Sequence, residues 1–373
     1  MAIAVGTAAL VIVLSVFNGF ESLVKGMYGD FYADAKIVSA KGNTLKFTKE
    51  NIANLKKIQS VNAISFCVEE KALLKNGENQ ATIVVKGVDE NFNAVSNVGK
   101  HLIRGEFDLG TQEKPLIVLG AGVESATGIY VEKATEASVL YLPNKKATTI
   151  TNVNDALVSY NVLGSGTFFI QQEFDNKYVF TNLAFMRFML DMQADECSFI
   201  ELKLNAKTDN EVENICTEIE QKLGTNVKVL SRYQQNKSLY RVMTMEKWII
   251  YAILCLILAV AAFNMIGALT MLVLEKQKDI AILKAVGASE NKIQEIFLST
   301  GLLLAGIGGL IGISLASLIC WLQVHFKLLK LGGSFAVDYY PVEQRSFDLL
   351  LVITTIFIVA FAASYFPARK AGK

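Results

Sequence analysis

Four stretches of the chain contain no Asp, Glu, Lys or Arg: Ala2 to Phe20, Trp248 to Leu274, Ile296 to Leu322 and Leu349 to Phe366. They are 19, 27, 27 and 18 residues long. Each reaches the roughly 18 residues that mark a membrane-spanning helix, and a helix buried in a water-soluble core is seldom that long without a charge. Four transmembrane helices are therefore expected. The whole 373-residue chain is 52% hydrophobic and only 19% charged. All the charge lies outside the four stretches, and that remainder carries about the quarter expected of an ordinary soluble domain. These features exclude a soluble enzyme and a collagenous or disordered chain. They also exclude a closed outer-membrane barrel, whose strands alternate apolar and polar in runs of about ten. A net charge of +1 lacks the basic surplus of a nucleic-acid binder, so no nucleic-acid partner is expected.

The spans leave one large loop, 21 to 247, and two short ones, 275 to 295 and 323 to 348. Lys276, Lys278, Lys284 and Lys292 lie in the first short loop, and Arg369, Lys370 and Lys373 in the tail; the second short loop has only Lys327, Lys330 and Arg345. Basic short loops stay in the cytoplasm. The 275 to 295 loop and the C-terminus are thus expected inside, and the large loop outside. No basic flank precedes the first span, so a cleaved signal peptide would lack its charged n-region. The abrupt start reads instead as a chain that has lost a cytoplasmic N-terminal segment. Cys67, Cys197 and Cys216 of the large loop form no CxxC pair and no disulfide framework, although one bridge among them stays open. Cys255 and Cys320 fall within spans.

The large loop alternates strand and helix signals. Apolar runs at Val61 to Leu74 and Ala81 to Val88 flank Asn76 and Gly77, a dipeptide that accepts two positive φ values, and predict a β-hairpin turning there. Thr48 can cap a helix running to about Gln59, and Val212, Ile215, Ile219 and Leu223 have helical spacing. Strands are expected at Phe199 to Leu204 and Val227 to Leu230 on either side of that second helix. The expected fold is four transmembrane α-helices with an outer α+β domain, 21 to 230, inserted between the first two. Lobe one of this domain spans about 36–89 and 198–230, and a more β-rich lobe two about 90–197. From Ser231 to Lys247 a polar helical pattern marked by Tyr233, Leu239 and Met243 runs straight into the second span, so 231–274 is expected as a rigid stalk continuous with transmembrane helix 2.

No catalytic constellation stands out. His101 and His325 are separated by most of the chain, which leaves a His-based triad or zinc cluster little to build on, and both read as surface histidines. Asp191, Asp195 and Glu196 read as a solvated face rather than a cation site. There is no GxxxxGK[ST] phosphate loop, so any ATPase is a separate polypeptide. No metal and no cofactor are expected. Asn18 and Asn264 are the carboxamides within the spans, and each can either bond a neighbouring helix or line a cavity. Gly301, Ala305, Gly308, Gly309, Gly312 and Ala316 form a small-residue stripe on the third span, the pattern of close helix packing. The loop from Glu275 to Ser289 reads as a short helix with Ile280, Leu283 and Gly287 on one face and Ile282 and Val286 on another, stopped at Gly287 before Ser289 caps the next helix. Such a helix can rest on lipid or dock a cytoplasmic partner, and the pattern alone leaves both open.

The residues also carry a family likeness. The run Ala262, Phe263, Asn264, Met265, Ile266, with Leu269, Met271, Val273 and then Glu275 to Ser289, closely resembles the permease subunits of lipoprotein-releasing (Lol-type) ABC transporters. Val13 to Glu21 resembles the same permeases at the first span, and Tyr365, Phe366, Pro367, Ala368 and Arg369 resemble their closing motif. Val85 to Asp89 and Leu116 to Gly120 are similar to landmarks of their periplasmic domain. The match covers both ends and is shared with the wider superfamily of FtsX-like and MacB-like four-helix permeases, which includes efflux-pump and cell-division permeases. It departs at the N-terminus, where the family usually has a cytoplasmic segment.

What the resemblance implies is a permease of the bacterial inner membrane with a large periplasmic domain, itself not an enzyme. Its implied partners are an ABC ATPase subunit, a second permease, identical or paralogous, an acylated lipoprotein, membrane lipid and a periplasmic carrier. Glu275, Lys276, Asp279, Ile280, Ile282, Leu283, Lys284, Val286 and Gly287 would dock the ATPase. Phe17, Asn18, Phe20, Asn264 and Met265 would line a lateral cavity for the lipoprotein between the first two spans. The polar, unpatterned stretch Pro143 to Tyr160 is similar in place to a carrier-catching hook, with Pro143, Asn144, Lys145, Lys146, Thr151 and Asn152 as contacts; a plain surface loop is the other reading.

Overall fold

A computed structural model describes residues 1–131, 137–144, 156–331 and 339–372. The chain divides into two units, Met1–Val24 with Ser238–Lys373, and Lys25–Lys237. The main helices are α1 (Ala2–Phe31), α2 (Lys49–Lys56), α3 (Asp209–Leu223), α4 (Lys237–Glu275), α5 (Gln277–Ala285), α6 (Glu290–Phe326) and α7 (Ser346–Gly372). Of these, α1, α4, α6 and α7 are long and apolar enough to cross a membrane.

The main sheet of the Lys25–Lys237 unit has ten strands among the described residues: β1 (Ala35–Ser39), β2 (Val61–Asn76), β3 (Asn79–Val88), β4 (Leu102–Gly105), β5 (Leu116–Gly120), β6 (Ser138–Pro143), β7 (Leu157–Phe168), β8 (Tyr178–Asn182), β9 (Phe199–Leu204) and β10 (Val227–Ser231); Leu45–Lys46 and Glu196–Cys197 pair in a separate two-stranded sheet. They form one sheet in the order β10-β1-β9-β2-β3-β8-β5-β7-β4, with β6 pairing both β2 and β7. Strands from 36–89 and 198–230 make one block of this order, and those from 90–197 the other. The parallel pairing of β3 with β8, Val84 opposite Tyr178, and the antiparallel pairing of β2 with β6, Leu73 opposite Tyr141, join the blocks.

The expected hairpin is present, but its turn lies one residue later. Asn76 pairs with Asn79, so Gly77 and Glu78 are the central residues. Only Gly77 has positive φ (58°), the pattern of a II′ turn with Gly first. Thr48 accepts from the Asn51 amide at the start of α2, and Thr208 does the same for Glu211 at the start of α3. Pleating sends Ile83 and Val85 of β3 to one face of the sheet, where they are buried with Leu55, Ile117, Val179, Ile200 and Ile219. Lys86 points to the other face. There it is buried against Glu201, 2.7 Å away, with the rings of Phe31, Phe92, Phe180 and Phe199 within 6 Å. Burial alone pulls the lysine down, but the charge of Glu201, with smaller help from Cys67 and Glu69, outweighs it and holds Lys86 above its ordinary value.

The membrane unit packs in layers along its helices. Leu10, Val11 and Leu14 of α1 meet Leu258 of α4, Ala316 of α6 and Val352 of α7. Next come Met265 and Leu269 with Ala305, Ala360 and Ala363, then Val273, Ile293, Phe297 and Ala368. The small-residue stripe of α6 is a packing surface: a Cβ on Gly301 would lie 2.2 Å from the Ser364 hydroxyl, and one on Gly312 only 2.5 Å from the Ala4 carbonyl. Ile257, Phe263, Leu303, Leu310 and Phe357 remain exposed on the outside of this bundle, as lipid-facing residues would.

Candidate functional site

Two features of the membrane unit stand out. The first is a groove of about 560 Å³ where residues 13–24 of α1 face residues 239–250 of α4. Its walls include Val16, Phe17 and Phe20 from one helix and Leu239, Val242 and Met243 from the other, with Glu21 and Glu246 as its charged residues.

Behind the groove, α1 presents its polar face to the segment 341–348. A Cβ on Gly19 would lie 2.3 Å from the Pro341 carbonyl oxygen, so only glycine lets this segment lie flat against the helix. The Glu343 amide donates to the Ser15 carbonyl at 2.9 Å, and the Ser22 hydroxyl donates to the Glu343 carboxylate. Arg345 pairs with Glu21 at 2.7 Å and with Glu343 at 3.0 Å. Asn18, fully buried, donates from Nδ2 to Asp348 Oδ2 at 2.6 Å and accepts from Lys247 Nζ at 3.0 Å. Lys247 completes the triangle with Asp348 at 2.9 Å. One amide thus ties α1, α4 and α7 together, and Asn18, Lys247 and Asp348 satisfy one another between the helices.

The five residues expected to line a lateral cavity therefore separate. Phe17 and Phe20 line the groove. Asn18 faces away from it, because its amide is committed to Lys247 and Asp348. Met265 is buried in the α4–α6–α7 layer, and Asn264 is exposed farther along α4. Sequence reasoning missed Glu21 and Glu246 as groove residues. Glu21 directly follows the apolar run of α1 and Glu246 stands just before that of α4, one turn from Phe17 and Met243 respectively, and this spacing was the available signal.

The second feature is α5 and its flanks. Lys276 precedes the helix and pairs with Asp279 at 3.1 Å. Val286 follows it, and Gly287 ends it with φ of 99°, which a side chain would strain. Ile280 is buried against the bundle beside Ile293, Phe297 and Ala371. Ile282, Leu283 and Val286 are 63%, 42% and 84% exposed. Leu283 thus parts from Ile280, with which the pattern had grouped it. Ser289 takes up the extended N-cap conformation at the start of α6, without a side-chain cap bond. Glu275 and Lys284 are exposed as well.

The expected hook falls partly outside the described residues, which include neither Lys145 and Lys146 nor Thr151 and Asn152. Pro143 pairs with Leu157 at the end of the β6–β7 ladder, and the Asn144 amide donates to the Ala156 carbonyl at 2.8 Å. Leu157 to Tyr160, read from the sequence as unpatterned, are strand residues opposite Leu140 to Pro143. Leu157 and Val158 stand side by side as apolar residues, so the segment shows no clean strand alternation in the sequence. Among the described residues no group of His, Cys, Asp and Glu is placed to hold a metal.

Residues 1–219 match the model of the MacB-like periplasmic core domain, and residues 251–373 that of the FtsX-like permease C-terminal. The chain is 28% identical to the lipoprotein-releasing system transmembrane protein LolC of Neisseria meningitidis serogroup B, over 100% of this chain and 90% of that protein. It is 27% identical to the lipoprotein-releasing system transmembrane protein LolE of Haemophilus influenzae, with the same coverage. The crystal structure of the periplasmic region of MacB from Actinobacillus actinomycetemcomitans aligns with 59% of this chain and 98% of its own, at 10% identity and a TM-score of 0.38.

Proposed function

Because the chain belongs to the permease family that joins a MacB-like periplasmic core domain to an FtsX-like permease C-terminal, we propose that it is the membrane subunit of a lipoprotein-releasing ABC transporter. It draws acylated lipoproteins from the outer leaflet of the bacterial inner membrane and passes them to a periplasmic carrier, using ATP hydrolysed by a partner subunit. The observation that carries this reading is the similarity to LolC and LolE proteins along the whole chain. A drug-pump or division permease would share the domain models but gives no reason for that end-to-end likeness.

The apolar groove between α1 and α4 supports the reading, since acyl chains need a site open to the bilayer and lined by residues such as Phe17, Phe20 and Met243. The exposed apolar residues of α5 support an ATPase contact, with Ile280 anchoring the helix to the bundle and Ile282, Leu283 and Val286 free to meet the partner. A second permease, identical or paralogous, completes the assembly. In proteoliposomes containing the permease pair and its ATPase, ATP should release a native acylated lipoprotein to the carrier. Failure to release any native lipoprotein would sink the proposal.

A further inference from the structure

The chain enters and leaves the main sheet of the Lys25–Lys237 unit at the same end of one strand pair. α1 stops at Phe31 and leads into β1 at Ala35, while β10 stops at Ser231 and leads through the one-turn helix Arg232–Gln235 into α4 at Lys237. β1 and β10 are antiparallel with Ala35 opposite Ser231. β10 lies at the end of the sheet order, with β1 as its one strand neighbour among the described residues. Drawing α1 and α4 apart therefore strains this ladder at its last pair. Its hydrogen bonds would open one at a time from there, whereas a pull along the strands would have to break them together.

Asp34 and Arg232 sit one step beyond that last pair. The Arg232 amide donates to the Asp34 carbonyl at 3.0 Å, and its Nη2 donates to Asp34 Oδ1. Asp34 Oδ2 accepts from the Leu204 amide at 2.9 Å and lies 3.3 Å from Lys203 Nζ, which anchors the same carboxylate to β9, the strand on the far side of β1. A Cβ on Gly29 would come within 2.9 Å of Arg232 Nη1, so the guanidinium lies against the last turns of α1. Both side chains are partly withdrawn from water, and such a pair is screened less than an exposed one. We infer that the Asp34–Arg232 pair is a mechanical lock on the mouth of the β1–β10 ladder. It holds β10 on the sheet when α1 and α4 are driven apart, so that movement of the helices is not lost in peeling off an edge strand. This rests on the reading that a partner ATPase moves the membrane helices.

The test measures amide hydrogen exchange in the purified permease–ATPase complex, idle and turning over ATP. In the wild type, exchange over 35–39 and 227–231 should be the same in both states. Asp34→Asn keeps an acceptor for the Leu204 amide but removes the ion pair. It should raise exchange in these strands about tenfold during turnover, the worth of one hydrogen bond to a charged group, and by no more than about twofold when idle, where the ladder is not under strain. Arg232→Gln should behave alike. Directly opposed antiparallel residues lie within disulfide reach, so Ala35→Cys with Ser231→Cys, once oxidised, should return Asp34→Asn to the wild-type rate during turnover. An equal rise with and without ATP would make the pair a static support, and an unchanged rate in both states would show that it takes no strain; either result overturns the inference. If ATP alters exchange nowhere in the wild-type or variant permease, the ATP-driven reading fails and takes the lock with it.

Discussion

Lys86 and Glu201 lie buried in the same aromatic pocket, and neither can be removed alone without stranding the other. Glu201→Gln should destabilise the soluble unit by about 3–5 kcal/mol, the usual cost of orphaning a buried charge. Chemical denaturation of the purified protein, followed by tryptophan-independent circular dichroism, would show a midpoint shift of that size. Asp175 is a different case. Its Oδ1 accepts from the Ile170 amide at 3.0 Å, but Oδ2 has no partner among the described residues. Burial pushes its carboxyl from 3.8 up to about 6, against the pull of the amides. Because the folded value is raised, the group favours the native state below about pH 4, and this contribution is lost as pH climbs through 6. Asp175→Asn should therefore stabilise the protein by about 1 kcal/mol at pH 7.5 and by nothing near pH 4. Equal melting shifts at both pH values would refute the assignment.

At the scale of elements, Gly19 shows how a single position governs a contact between segments far apart in sequence. Gly19→Val would drive a side chain into the Pro341 carbonyl, costing about 1–3 kcal/mol and displacing the segment that carries Glu343 and Arg345. Reduced thermal stability in detergent, with loss of lipoprotein release, is the expected outcome. On α5, Leu283→Asp or Val286→Asp puts a charge on an exposed apolar face and should weaken ATPase pull-down by several kcal/mol, leaving permease melting unchanged; an undiminished pull-down would count against docking there. These elements differ in how far the sequence reveals them. Long apolar runs, Thr caps and the small-residue stripe act within one helix, so the spans, α2, α3 and the packing face of α6 could be read directly. The Gly77 turn differs by one residue because cross-strand register, not the Asn-Gly dipeptide, decides which residues turn. Asn18 could be either a cavity residue or a helix tie because the choice depends on Lys247 and Asp348, 229 and 330 residues away in sequence. No local pattern encodes such partners, and the same holds for the groove, made by two helices with the whole soluble unit between them in the chain.

For the whole molecule, the orientation inferred from lysine distribution has a direct test. A cysteine placed at Glu78, in the exposed β2–β3 turn, should react with a membrane-impermeant maleimide on intact spheroplasts, and one at Lys278 on α5 only after permeabilisation. The opposite pattern would invert the topology. The native thiols bear on how such work is done. Cys67, Cys197 and Cys216 are free and buried; burial holds the first well above its ordinary value and pushes the other two up to about 12. A thiol so far from ionisation supplies almost no nucleophile at neutral pH. While the Lys25–Lys237 unit is folded, these three buried thiols compete poorly for maleimides, so Cys255, the one free cysteine that is not buried, is the native thiol to replace before an introduced cysteine serves as a reporter.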